Sequence, residues 1–224
     1  MKKLLMLSLL SVVLFAQEKD LALGKMIFEK TCISCHAEDG SAKSDVRLVV
    51  MPRNLQISIL DEEQSYQIIK KGARYWGSAS AIMPSFESVY NEHELRSVTH
   101  YISKRFNPDI KKRRELLYAQ SEKIEDAKRA KMLKRGKKIY KRNCSWCHGV
   151  TGEGDGEATH NPEKSIYPYN LTKTLLNEKQ IFLYAKYGGK YFGTHKDDMP
   201  SWSRKYDDFT LKSVAKYIVE EFKK

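Results

Sequence analysis

CISCH, residues 32–36 (Cys32, Ile33, Ser34, Cys35, His36), returns as CSWCH at residues 144–148 (Cys144, Ser145, Trp146, Cys147, His148). These two pentapeptides use all 4 cysteines of the 224-residue chain. Two thiols three residues apart, with a histidine directly behind, have few uses. A structural zinc needs four ligands, and each motif supplies only three; a site shared by the four cysteines would leave both histidines idle. Disulfide exchange of the thioredoxin kind wants the pair at a helix start after a strand, and no strand pattern precedes either pair. Covalent haem accounts for every element. The thiols add to two vinyl groups on one porphyrin edge, and His36 or His148 then lies beneath the ring with a nitrogen for the iron.

Working outward, the motifs are the centre of a longer duplication. GKMIFEKTCISCH from Gly24 matches GKKIYKRNCSWCH from Gly136, and PRNL (Pro52–Leu55) matches PYNL (Pro168–Leu171). GARYWGSASAIMPSF (Gly72–Phe86) matches GGKYFGTHKDDMPSW (Gly188–Trp202), and LRSVTHYISKRF (Leu95–Phe106) matches LKSVAKYIVEEF (Leu211–Phe222). The repeat divides the chain into a signal peptide (1–16), a first unit (17–106), a linker (107–133) and a second unit (134–224). Apolar residues recur at helical spacing before each first cysteine and along both last segments. Asp61 and Asn177 open short middle helices that close near Gly72 and Gly188. Nothing alternates as a strand would, so the expected class is all-α: two tandem helical domains joined by a charged helical linker.

The repeat also nominates a second iron ligand. Met83 and Met199 occupy matching places in the run Met-Pro-Ser-aromatic, whereas Met51 is matched by Tyr167. A thioether is a soft neutral ligand that raises the iron's potential. The expected metal ligands are therefore His36 with Met83 and His148 with Met199. Of the other histidines, His93, His100, His160 and His195, none is repeated.

The chain opens with Lys2 and Lys3, an apolar run from Leu4 to Phe15 broken only by Ser8 and Ser11, and then Ala16. That is the layout of a cleaved export signal, too short to span a bilayer, and it predicts a soluble periplasmic protein. The formal charge is +12; loss of Lys2 and Lys3 leaves +10. An exported basic protein is not expected to meet nucleic acid. Its expected partners are acidic-faced redox proteins, a reductase or terminal oxidase, with an anionic membrane surface as a peripheral contact. Residues 107–135 carry ten Lys/Arg against five Asp/Glu and only a thin apolar stripe. They read as a solvated helix bridging the units, begun at Asn107 with Pro108 in its first turn.

These features together resemble the c-type cytochromes, in the form of a two-domain dihaem cytochrome with His/Met ligation. The resemblance covers nearly everything from Asp20 onward except the linker. It implies two haem c groups, single-electron transfer and no substrate site. The alternatives are a dihaem redox enzyme of peroxidase-like or thiosulfate-oxidising type, or the cytochrome subunit of a larger dehydrogenase. It implies that the carbonyls of Pro52 and Pro168 accept from the histidines' second nitrogens, that Arg53 neutralises a propionate, and that Tyr169 hydrogen-bonds one. It places Gly24 and Gly136 where the first helix crosses the last, near Tyr101 and Tyr217. Two departures stand out. GVTGEGDG (Gly149–Gly156) resembles the family's glycine-rich loop, but the first unit has only AEDGSAKSD there. The long linker speaks against haems packed edge to edge.

Overall fold

A computed structural model describes residue 18 and residues 20–43, 52–78, 83–118, 126–161, 166–194 and 199–223. The expected signal peptide, Met51, His195 and linker residues 119–125 lie outside the described residues. Those described form helices and turns, with no strand among them.

Helix α1 (20–27) passes into a π-turn, Phe28–Cys32, and a last α-turn, Ile33–His36. Helix α2 is Glu62–Lys71, α3 is Glu92–Phe106 and α4 is Ile110–Tyr118. The second unit repeats the plan. Helix α5 (Asp126–Ile139) runs through a π-turn, Tyr140–Cys144, to Ser145–His148; α6 is Glu178–Tyr187 and α7 is Asp208–Phe222. A π-turn widens the helix by one residue and is frequent at functional sites. Here it falls in both copies on the five residues that end at the first cysteine.

The caps explain where the middle helices begin. Asp61 and Asn177 accept from the backbone N–H of Gln64 and Gln180, and those glutamines accept in return from the N–H of Asp61 and Asn177. Each such reciprocal pair satisfies two otherwise orphaned donors. Gly24 and Gly136 sit where α1 crosses α3 and α5 crosses α7. A Cβ would come within 2.1 Å of Ser97 O at Gly24 and 2.0 Å of Ser213 O at Gly136. Only glycine allows that approach. The first core gathers Ile27, Phe28, Tyr66, Ile69, Leu95, Val98 and Phe106; the second is larger and includes Tyr140, Leu183, Phe192, Leu211, Val214 and Tyr217.

Asn107 does not begin a helix. It ends α3: its N–H donates to Ser103 O, its side chain to Ser58 O, and Pro108 then occupies a turn closed by Ile110 N–H on Asn107 O. Pro suits the second position of such a turn, so α4 starts only at Ile110.

The two units are in contact across a pseudo-two-fold interface. Asn54 N–H donates to Gly193 O at 2.9 Å, and Asn170 N–H donates to Gly77 O at 2.7 Å. Gln64 and Gln180 bond each other at 2.9 and 2.8 Å, and their amides also reach Leu175 O and Ile59 O. Ile59, fully buried, joins the core of the second unit, as does the half-buried Ile110 of α4. Arg113 and Arg114 of α4 bond Gln56 O, Ser58 O and the Asp61 carboxylate. The charged segment therefore straps the units together at its first helix instead of holding them apart.

Candidate functional site

Each site starts from the helix end that carries the cysteines. The π-turn and the following α-turn set Cys32, Cys35 and His36, and likewise Cys144, Cys147 and His148, on consecutive turns of one helical end. None of the four cysteines is in a disulfide, and all are partly buried. Burial, with the neighbouring sulfur adding to it, pushes Cys32 and Cys144 up to about 12. A thiol that holds its proton so firmly is a poor exchange nucleophile. Among the described residues no group of three His, Cys, Asp or Glu side chains is arranged to hold a metal ion.

The histidines are fixed from the other side. His36 Nδ1 lies 3.1 Å from Arg53 O, and His148 Nδ1 lies 2.9 Å from Tyr169 O. A carbonyl can only accept, so Nδ1 carries the hydrogen and Nε2 keeps its lone pair free for a metal. This corrects the expectation for Pro52 and Pro168: the accepting carbonyl belongs to the next residue in each unit. The resemblance located the loop, but the reach of the imidazole decides which carbonyl it meets. His36 is buried and His148 half-buried. Burial holds both below the ordinary histidine range, so both imidazoles are neutral at neutral pH.

The loop after each histidine is the same in both units. Gly154 N–H donates to His148 O, and Leu171 N–H to Gly152 O; in the first unit Ala42 N–H donates to His36 O and Leu55 N–H to Gly40 O. AEDGSA thus forms the turn expected only of the glycine-rich copy, with Ala37 and Ala42 in the left-handed region where Gly149 and Gly154 stand. Tyr140 Oη anchors the second copy by donating to Gly149 O at 2.7 Å.

Met83 and Met199 are both half-buried, and each is held by its own backbone: Ala73 N–H donates to Met83 O and Gly189 N–H to Met199 O. Met83 and Cys32 pack against the same first-unit cluster. Arg53 does not stay within its unit. Its guanidinium donates to Tyr184 Oη and, at 3.4 Å, to Tyr169 Oη of the second unit. Of the unrepeated histidines, His93 pairs with Asp20 at 2.8 Å, His100 with Glu62 at 3.0 Å, and His160 is exposed. None of these three faces a cysteine motif through any of those bonds.

Two copies of a neutral imidazole with its Nε2 free, each directly behind a pair of cysteines on one helical end, suit covalent haem attachment. Comparison with known proteins agrees. The family described as cytochrome c oxidase, cbb3-type, subunit III matches residues 19–102 and again residues 131–218. The chain belongs to that family. It is a dihaem c-type cytochrome, an electron-transfer protein of all-α fold. The cbb3-type cytochrome c oxidase subunit CcoP of Azospirillum sp. (strain B510) is 23% identical over 208 residues. Those residues are 87% of this chain and 60% of the relative. A chain of the Kuenenia stuttgartiensis reducing HAO-like protein complex is 23% identical with a TM-score of 0.46, over 90% of this chain and 96% of that one.

Proposed function

We propose that this subunit III-family chain is an exported carrier of single electrons with two haem c groups. Cys32 and Cys35 bind one haem as thioethers, with His36 and Met83 as its axial ligands. Cys144 and Cys147 bind the other, with His148 and Met199. The haem, when bound, supplies an iron that cycles between ferrous and ferric. The protein's part is to fix the imidazoles through Arg53 O and Tyr169 O and to keep water from the iron. The repeated Nδ1 bond carries this reading, because it leaves the same nitrogen free in both units.

An iron held by His and Met has no position for a substrate, which separates a carrier from a peroxidase-like or thiosulfate-oxidising enzyme. Four propionates would lower the net charge of the mature chain from +10 to about +6, still basic, so the partner presents an acidic face. The family name favours a terminal oxidase, to which this chain is either a donor or a subunit. Periplasmic location follows from the signal layout of residues 1–16.

The test is the haem content and ligation of the exported protein. A pyridine haemochromogen assay should give two haems per chain, and the ferric spectrum should show the weak sulfur-to-iron band for both. A high-spin or bis-histidine haem would replace the carrier with the enzyme reading. Electron-transfer rates to the partner should fall as salt is added.

A further inference from the structure

The two histidine-holding loops face each other across the interface, and the contact is duplicated almost throughout. One exception is Arg53. Tyr169 stands at its matching place, and Tyr184, the residue it reaches, is matched by Ile68. Arg53 Cζ lies 5.9 Å from the centroid of the Tyr184 ring, and Tyr184 is 9% exposed. Among the described residues no carboxylate pairs with this guanidinium. Two phenol oxygens give it acceptors but no counter-charge, and a partly desolvated cation without one is costly. The guanidinium therefore calls for an anion. Both phenols belong to the second unit, and Tyr169 is also the residue whose carbonyl holds His148, so although the carbonyl of Arg53 serves His36, its guanidinium is directed to a carboxylate of the second unit's haem.

We propose that Arg53 is a cofactor-binding residue of the second haem supplied by the first unit. Its carbonyl orients His36, and its guanidinium crosses to a propionate between Tyr169 and Tyr184. One residue then serves both haem sites, and the second site is complete only when the units are docked. This rests on the two-haem reading above. A positive charge beside the haem disfavours the ferric state, so Arg53 raises the potential of the second haem more than that of the first.

The experiment is a redox titration of the full haem-loaded chain carrying Arg53→Gln or Arg53→Lys. Met83→His as background leaves the sulfur-to-iron band to the second haem alone, and Met199→His does the same for the first. Arg53→Gln should favour the ferric second haem about tenfold, equal to ~59 mV for a one-electron couple. Arg53→Lys should recover part of that shift, and the first haem should move less. Gln180→Ala, which deletes the glutamine pair but keeps both backbone bonds that dock the units, should leave the second potential in place. An equal or larger shift at the first haem, no shift at all, or the same shift in Gln180→Ala would each overturn the assignment. Haem count and the sulfur band, measured first, fail separately if the ligation itself is wrong.

Discussion

At the scale of single residues, the loop behind each histidine shows what spacing can and cannot reveal. Ala37 and Ala42 have φ of 59° and 63°, where the second unit has Gly149 and Gly154 at 79° and 82°. The left-handed region costs an alanine roughly 1–2 kcal/mol, while glycine loses about 0.5–1 kcal/mol more in folding entropy. Ala37→Gly and Ala42→Gly should therefore each stabilise the first unit by about 0.5–1 kcal/mol, read as a rise in its thermal midpoint. Gly149→Ala should do the reverse, and its Cβ would also stand 2.0 Å from Asp155 Oδ1. A melting point unchanged or lowered by both alanine replacements would refute this. The cysteines and histidines were legible because their chemistry is written in residue type. The shared loop was not, because AEDGSA and GVTGEG agree in backbone conformation and not in composition. The same limit explains Pro52 and Pro168: a motif locates a carbonyl to within one residue, and only the fold selects Arg53 and Tyr169.

At the scale of elements, helix ends were legible wherever a side chain signals them. Asp61 and Asn177 cap the helices they were expected to open. Asn107 misled because Asn-Pro serves equally as a helix start or as a turn, and the choice was made by Ser58 O, distant in sequence. Between α2 and α3 of the first unit, Glu92 accepts from Tyr66, from Lys70 at 3.1 Å and from Arg96 at 3.2 Å, while Arg96 Cζ stacks 3.6 Å from the Tyr66 ring centroid. The Tyr66 hydroxyl first, then Lys70, hold the Glu92 carboxyl down to about 2. A carboxylate whose folded pKa is depressed gives stability that is present above its unfolded value, near 4.5, and is lost as pH falls towards 2. Acid unfolding of the first unit should steepen across that window, and Glu92→Gln should flatten it while leaving the second unit's profile unchanged. Identical profiles for the wild-type and Glu92→Gln first units would show that the cluster is only a surface decoration.

At the scale of the whole molecule, the repeat made two units legible, but the way they meet was not. The linker's charge suggested separation, and its first helix instead is fastened to the first unit by Arg113 and Arg114 while Ile110 packs on the core of the second. The contact is made of residues that look ordinary one unit at a time: Ile59, the neutral glutamines at the third position of each capping box, and a glycine in each loop. Only their duplication on facing surfaces makes an interface, and duplication says nothing about which surfaces face. The glycines are the sharpest test. A Cβ on Gly77 would meet Asn170 O at 2.4 Å, and one on Gly193 would meet Asn54 O at 2.7 Å, each with φ positive. Gly77→Val with Gly193→Val should therefore break both backbone bonds between the units without entering either helical core. Small-angle scattering should report a larger radius of gyration, and electron equilibration between the two haems after a reductive pulse should slow at least tenfold. The sulfur-to-iron band of each haem should persist, because the units remain folded. If the radius and the equilibration rate stay at their wild-type values, the units do not depend on this contact. In that case the cross-unit role of Arg53 loses its structural basis, since its guanidinium reaches Tyr169 and Tyr184 only while the loops are docked.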